Sequence, residues 1–121
     1  MALLPQEQME ALEILGHVYF LLGRAREARI VFNGVLALDD GNASALGHLA
    51  ALDMEQGRSE DALRLLDEAA RKRDAPAIRL MRAQALAQAG RRDEARQAMA
   101  AYVDLASSLS GDSAAPQPIP E

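Results

Sequence analysis

GRSEDA, Gly57–Ala62, decides how this chain is read, because close variants of it stand at two other places: GRAREA at Gly23–Ala28 and GRRDEA at Gly90–Ala95. The intervals are 34 and 33 residues. The phrase is a stop-and-start signal. Its glycine takes the positive φ that closes a helix as a C′ residue. The acids that follow, Glu60 and Asp61 or Asp93 and Glu94, complement the dipole of a new first turn. Ser59 is the expected N-cap of the helix after Gly57. Recurrence at this period marks a repeat architecture.

Aligning on the three glycines brings other positions into phase. The first copy places Leu15, Gly16, Tyr19, Ala28 and Phe32 where the second has Leu49, Ala50, Ala62 and Leu66, and the third Ala83, Leu86, Ala95 and Met99. Small residues on both sides of each turn (Gly16 with Ala28, Ala50 with Ala62, Ala83 with Ala95) let two antiparallel helices approach closely. The spacing predicts helices over about 6–22, 25–38, 43–56, 59–73, 75–89 and 92–108. Asn42 caps the third, and Pro76 sits in the first turn of the fifth, where proline is tolerated. The repeats span about 9–42, 43–75 and 76–107, within one domain of residues 1–108. The remainder, 109–121, has three prolines and little to bury, and is expected to be a disordered tail.

Composition agrees with helices. Half of the 121 residues are hydrophobic, only four are aromatic, and alanine, leucine and arginine dominate. There is no cysteine, which excludes disulfide and thiolate chemistry. The net charge of −5 argues against non-specific nucleic-acid binding. Charge is uneven: residues 1–55 carry 8 acidic and 3 basic side chains, residues 56–100 carry 7 and 10. The start, MALLPQEQME, lacks the basic segment of a signal peptide, and the run Ile14–Leu22 is too short to span a bilayer. A cytoplasmic protein without direct membrane insertion is expected.

No motif points to catalysis. There is no phosphate-binding glycine loop, no serine–histidine–aspartate spacing and no cysteine nucleophile. Adjacent carboxylates such as Asp39/Asp40 and Asp67/Glu68 read as solvated charge. His17 and His48 are the only histidines, too few for a metal site without help from Glu13, Asp53 or Glu55. The expectation is no enzyme, no cofactor and no metal.

The three phased copies resemble the tetratricopeptide repeat, a helix–turn–helix unit, over about residues 9–107. The chain departs from that pattern in lacking its tryptophan and its repeat-ending proline, where Asp40 and Asp74 stand. The resemblance implies an all-α fold of three repeats in a right-handed superhelix. The first helix of each repeat then lines a concave groove that takes a partner. By repeat position the groove residues are Ile14, His17, Phe20 and Leu21, then His48, Ala51 and Met54, then Leu80, Met81 and Gln84. Neighbouring Glu10, Glu13, Ser44, Gly47, Glu55, Ala77, Ala87 and Gln88 are placed on the same faces. The surface is apolar and methionine-bearing, hence adaptable, and it lacks the lysines and asparagines that clamp a peptide's terminal carboxylate. Ile14, Leu21 and Leu80 are equally at home in a core. Met99, Val103 and Leu105 on the last helix, and Leu3 and Leu4 at the start, are apolar without a following or preceding helix to cover them.

The length and acidity, the opening EALEILGHVYFLLGRAREA (10–28) and the closing GRRDEARQAMAAYVDLASS (90–108) resemble the small type III secretion chaperones of Gram-negative bacteria, in particular the SctY (YscY-like) class. That resemblance implies a cytoplasmic chaperone. It holds a small exported protein of the secretion apparatus in the groove and docks with it at the membrane export gate. Translocator chaperones, by contrast, are generally longer. The alternative is a general scaffold or adaptor, or a homo-oligomer, in an unrelated bacterial pathway. Twelve arginines against one lysine suggest a GC-rich genome.

Overall fold

The structure, a computed structural model, describes residues 5–111. Six helices follow in order: α1 Pro5–Leu21, α2 Ala25–Leu38, α3 Ala43–Glu55, α4 Ser59–Lys72, α5 Pro76–Gln88 and α6 Arg92–Ser110. No strand occurs among the described residues. The helices form three antiparallel hairpins. Each later hairpin packs its first helix on both helices of the one before: α3 on α1 and α2, α5 on α3 and α4. The six helices are those the spacing predicts, and their stacking is the all-α superhelix of three repeats that the resemblance implies.

The three hairpin turns share one geometry. Gly23, Gly57 and Gly90 have φ of 73°, 75° and 80°, and no non-glycine described residue has a positive φ. The arginine after each glycine sends its N–H back to a carbonyl five residues earlier: Arg24 to Tyr19 at 2.9 Å, Arg58 to Asp53 at 2.8 Å, Arg91 to Leu86 at 2.9 Å. The glycine N–H bonds the carbonyl three residues back. Together these close the helix in a Schellman motif. The same arginine is the N-cap of the next helix, and its side chain caps no backbone N–H there. Ser59 is therefore not a cap. It is the first helical residue of α4, and its hydroxyl donates to Gln88 Oε1 at 2.8 Å. Asn42 does cap α3: its Oδ1 accepts the Ala45 N–H at 2.9 Å.

Apolar spacing decides which faces are buried. In α4, Ala62, Leu63, Leu66 and Ala69 form one stripe, with Glu60 and Asp61 in the first turn and Arg71 and Lys72 in the last. One core cluster joins Phe32, Val35 and Ala28 of α2 to Ala45, Leu49 and Leu52 of α3. A second joins Leu63, Leu66 and Ala69 of α4 to Ile78, Ala85 and Leu86 of α5. Full burial of each large side chain contributes about 1.5–3 kcal/mol. Close approach depends on small residues. A Cβ on Gly16 would lie 2.8 Å from Cζ of the fully buried Phe32.

α6 is longer than the sequence spacing predicts. It continues through Leu109 and Ser110, which were expected in the tail, and stops at Gly111 with φ 75°. The rest of that expected tail, 112–121, lies outside the described residues, as do Leu3 and Leu4.

Candidate partner-binding groove

The first helices of the three hairpins meet around one open cavity of about 320 Å³. α1 contributes Phe20. α3 contributes Ala43, Ser44, Gly47, His48 and Ala51. α5 contributes Ala77, Ile78 and Met81. Small residues of α3 form the floor, because Ala43, Gly47 and Ala51 recur at intervals of four and share one face. The lining carries no charged side chain.

One wall is an aromatic and imidazole cluster. His48 stacks on Phe32, ring centroids 4.5 Å apart at 15°. The Phe20 ring meets His48 edge-on at 5.4 Å. His48 Nδ1 lies 2.8 Å from the Ser44 carbonyl oxygen, which can only accept. The Nδ1 atom therefore carries a proton. His17 Nδ1 lies 3.1 Å from His48 Nε2, within hydrogen-bond distance. Both rings are thereby oriented by hydrogen bonds, and neither is grouped with carboxylates in a metal-binding set among the described residues.

Next to this wall, Asn42 ties two helices together. While its Oδ1 caps α3, its Nδ2 donates to Glu13 Oε1 of α1 at 2.6 Å. Arg29 of α2 approaches buried Asp53 of α3 at 2.9 Å. That approach is a charge contact without hydrogen-bond alignment, since Arg29 Nη2 has no hydrogen-bond partner among the described residues. At the far end, Gln88 accepts from Ser59 and donates to the Met54 carbonyl at 2.8 Å. Although placed on the groove face by register, Gln88 thus ties the α3–α4 turn to α5.

The residues expected in the groove are distributed as follows. Phe20, His48, Ala51 and Met81 line the cavity together, and His17 stands beside them through His48. Met54 packs partly into the second core cluster. Leu80 is half-buried and Gln84 exposed, both outside the cavity lining. Ile14 and Leu21 are 67% and 69% exposed and belong neither to the cavity nor to the core. Ala43 and Ile78 line the cavity and were not expected there. Ile78 stands where the core residue Ala45 stands in the second repeat, so its register announces burial and not the cavity.

The hairpins, their glycine turns and their stacking define a class of protein, a helical repeat protein with an apolar concave face. The chain belongs to the tetratricopeptide repeat family: two models of that repeat match residues 49–110 and 19–74. No curated protein matches the chain in sequence. Among solved structures, it is similar to the type III secretion translocator chaperone SycD of Yersinia enterocolitica. The identity is 23% and the TM-score 0.77, over 82% of this chain and 76% of that one. At that identity the likeness is one of fold.

Proposed function

We propose that this chain is a secretion chaperone. It holds a small exported protein of a type III secretion apparatus in its concave face, in the cytoplasm, and delivers it to the membrane export gate. The observation that carries this reading is the uncharged cavity shared by three helices and walled by Phe20, His48 and Met81. A cavity of this kind suits the apolar face of a helix or an extended segment, with affinity from burial rather than from ion pairs. Methionine at its edge lets it repack around the occupant. The similar fold of a secretion chaperone supports the reading. The role is binding, not catalysis.

The test is retention of the client from the native organism on the tagged chain, followed by mass determination of the complex. Phe20→Glu and Met81→Glu are each expected to weaken client binding by about thirtyfold or more, the effect of losing a central anchor of about 2 kcal/mol. Circular dichroism should show helicity unchanged. Wild-type retention by both variants would remove the groove from the interface. Recovery of the chain alone, at every condition, would favour a scaffold over a chaperone.

A further inference from the structure

Repeat register compares residues that the fold places in equivalent positions. In α3, Ala45, Leu49 and Leu52 are the residues that pack back on the preceding hairpin, against Phe32 and Val35. Their equivalents in α1, 34 residues earlier, are Ala11, Leu15 and Val18. These are also apolar, yet Leu15 is 42% and Val18 44% exposed. At the other end of the stack, Phe32 and Leu66 correspond to Met99, and Val35 corresponds to Tyr102. Met99 is 40% exposed, and Val103 beside it 51%. One end thus carries the face that a first helix uses to dock, and the other end carries the ridge on which it docks. Among the described residues nothing covers either.

The lengths of the two terminal helices match in the same register. α1 starts at Pro5, four residues before Met9, the equivalent of the α3 start at Ala43. α6 ends at Ser110, five residues after Leu105, the equivalent of the α2 end at Leu38. Consecutive helices here are antiparallel, so the start of one lies beside the end of the previous one. The two extra turns would then lie side by side, and both are mainly polar: Gln6 and Glu7 on one, Ser107 and Ser110 on the other. Charge favours the same arrangement. α1 carries Glu7, Glu10 and Glu13 and no base, whereas α6 carries Arg92 and Arg96 against Asp93, Glu94 and Asp104. A symmetric pairing of two α1 helices therefore brings more like charge together than head-to-tail pairing does.

We propose that the occupant of the α1 face is a second copy of this chain, with α1 of one molecule seated on α6 of the next as α3 sits on α2. The two partner surfaces differ, so the contact is heterologous and continues into a longer superhelix or closes as a ring. The concave faces of successive copies become one groove. The proposal is independent of the client reading, because it concerns the ends of the stack and not its inner face.

Sedimentation of the full chain from micromolar to about half-millimolar concentration tests it. The expected result is a mass that rises with concentration past the dimer or plateaus at a closed ring. Val18→Glu disables the α1 end and Val103→Glu the α6 end, and each alone should be monomeric. Mixed one to one, they should form a species of dimer mass and nothing larger, since each retains the surface the other lacks. If either glutamate lowers helicity, Leu15→Gln and Met99→Gln replace the pair. The proposal fails if the wild type stays monomeric throughout, or if the mixture stays monomeric. It also fails if Val103→Glu leaves the oligomer intact while Val18→Glu dissolves it, which is the signature of symmetric α1 pairing.

Discussion

α1 and α3 hold the same register in successive repeats, yet seven residues of α3 are buried and, in α1, only Gly16. Their sequences do not explain this: ALEILGHV and ASALGHLA are both apolar on nearly every side. The difference is position in the stack. α3 has a hairpin on each side, and α1 has one, so the residues that are core in α3 are surface in α1. In a repeat protein burial is a property of neighbours as much as of side chains.

The largest effect should come from the matched positions themselves. Leu52→Ala removes a side chain that is 1% exposed and is expected to cost about 2–5 kcal/mol in chemical denaturation. Val18→Ala, at the equivalent place in α1, is expected to change the stability of the monomer, at dilute concentration, by less than about 0.5 kcal/mol. Equal costs would mean that α1 is covered in solution.

Glycine separates the two helices in the opposite direction. Gly16 of α1 faces Phe32, and a Cβ there would approach to 2.8 Å. Gly47 of α3 faces Ile78, and a Cβ there would make an ordinary 3.6 Å contact. Gly16→Ala should therefore cost about 1–3 kcal/mol through overpacking, less the gain in helix propensity. Gly47→Ala should raise the thermal midpoint, by up to about 1 kcal/mol of stability. A smaller effect is expected where the two helices are joined. Asn42→Ala removes the cap of α3 and leaves Glu13 of α1 without its amide donor, at a cost of about 1 kcal/mol.

Acid should matter least. Glu27 is held below the ordinary carboxylate range, mainly by its backbone N–H bond and then by Arg24, and Asp74 and Glu94 by hydrogen bonds from Arg79 and Arg91. A depressed folded pKa gives stability that is present above the unfolded value and lost as pH falls through the folded one. Asp74 and Glu94 are about half exposed and Glu27 somewhat less, so solvent screens all three pairs, and the expected loss is slight and confined below about pH 4. None lies on α1 or α3. The Leu52 and Val18 contrast should be the same at pH 7 and pH 5.

Much of this architecture was legible in the sequence. The helix starts at Ala25, Ala43, Ser59 and Arg92 follow from glycine and Asn42 at fixed offsets. The cap of α4 was not legible, because a serine after Gly-Arg looks like an N-cap, while the actual closure is made by backbone alone. Ile14 and Leu21 were placed in the groove by register. Among the described residues no earlier helix lies beside the first helix of the stack, so Ile14 lies open where His48 and Met81 lean on a neighbour. Gln88 and Asn42 show the other limit. Their bonds reach across 34 and 29 residues to Met54 and Glu13, and no local spacing announces such partners.

The hairpin turns have one further consequence. Each spends a single arginine twice, as the last bonded residue of one helix and the cap of the next, so it contains no spare residue. One residue inserted there would turn the second helix by about 100° and carry Leu63 and Leu66 off the core. Every hairpin turn has three residues, whereas the links between repeats vary, four residues at 39–42 and three at 73–75. That difference is where the change from a 34- to a 33-residue interval is absorbed. Length variation in this scaffold is therefore confined to every second turn, and grafted sequence belongs in those turns and not beside the glycines.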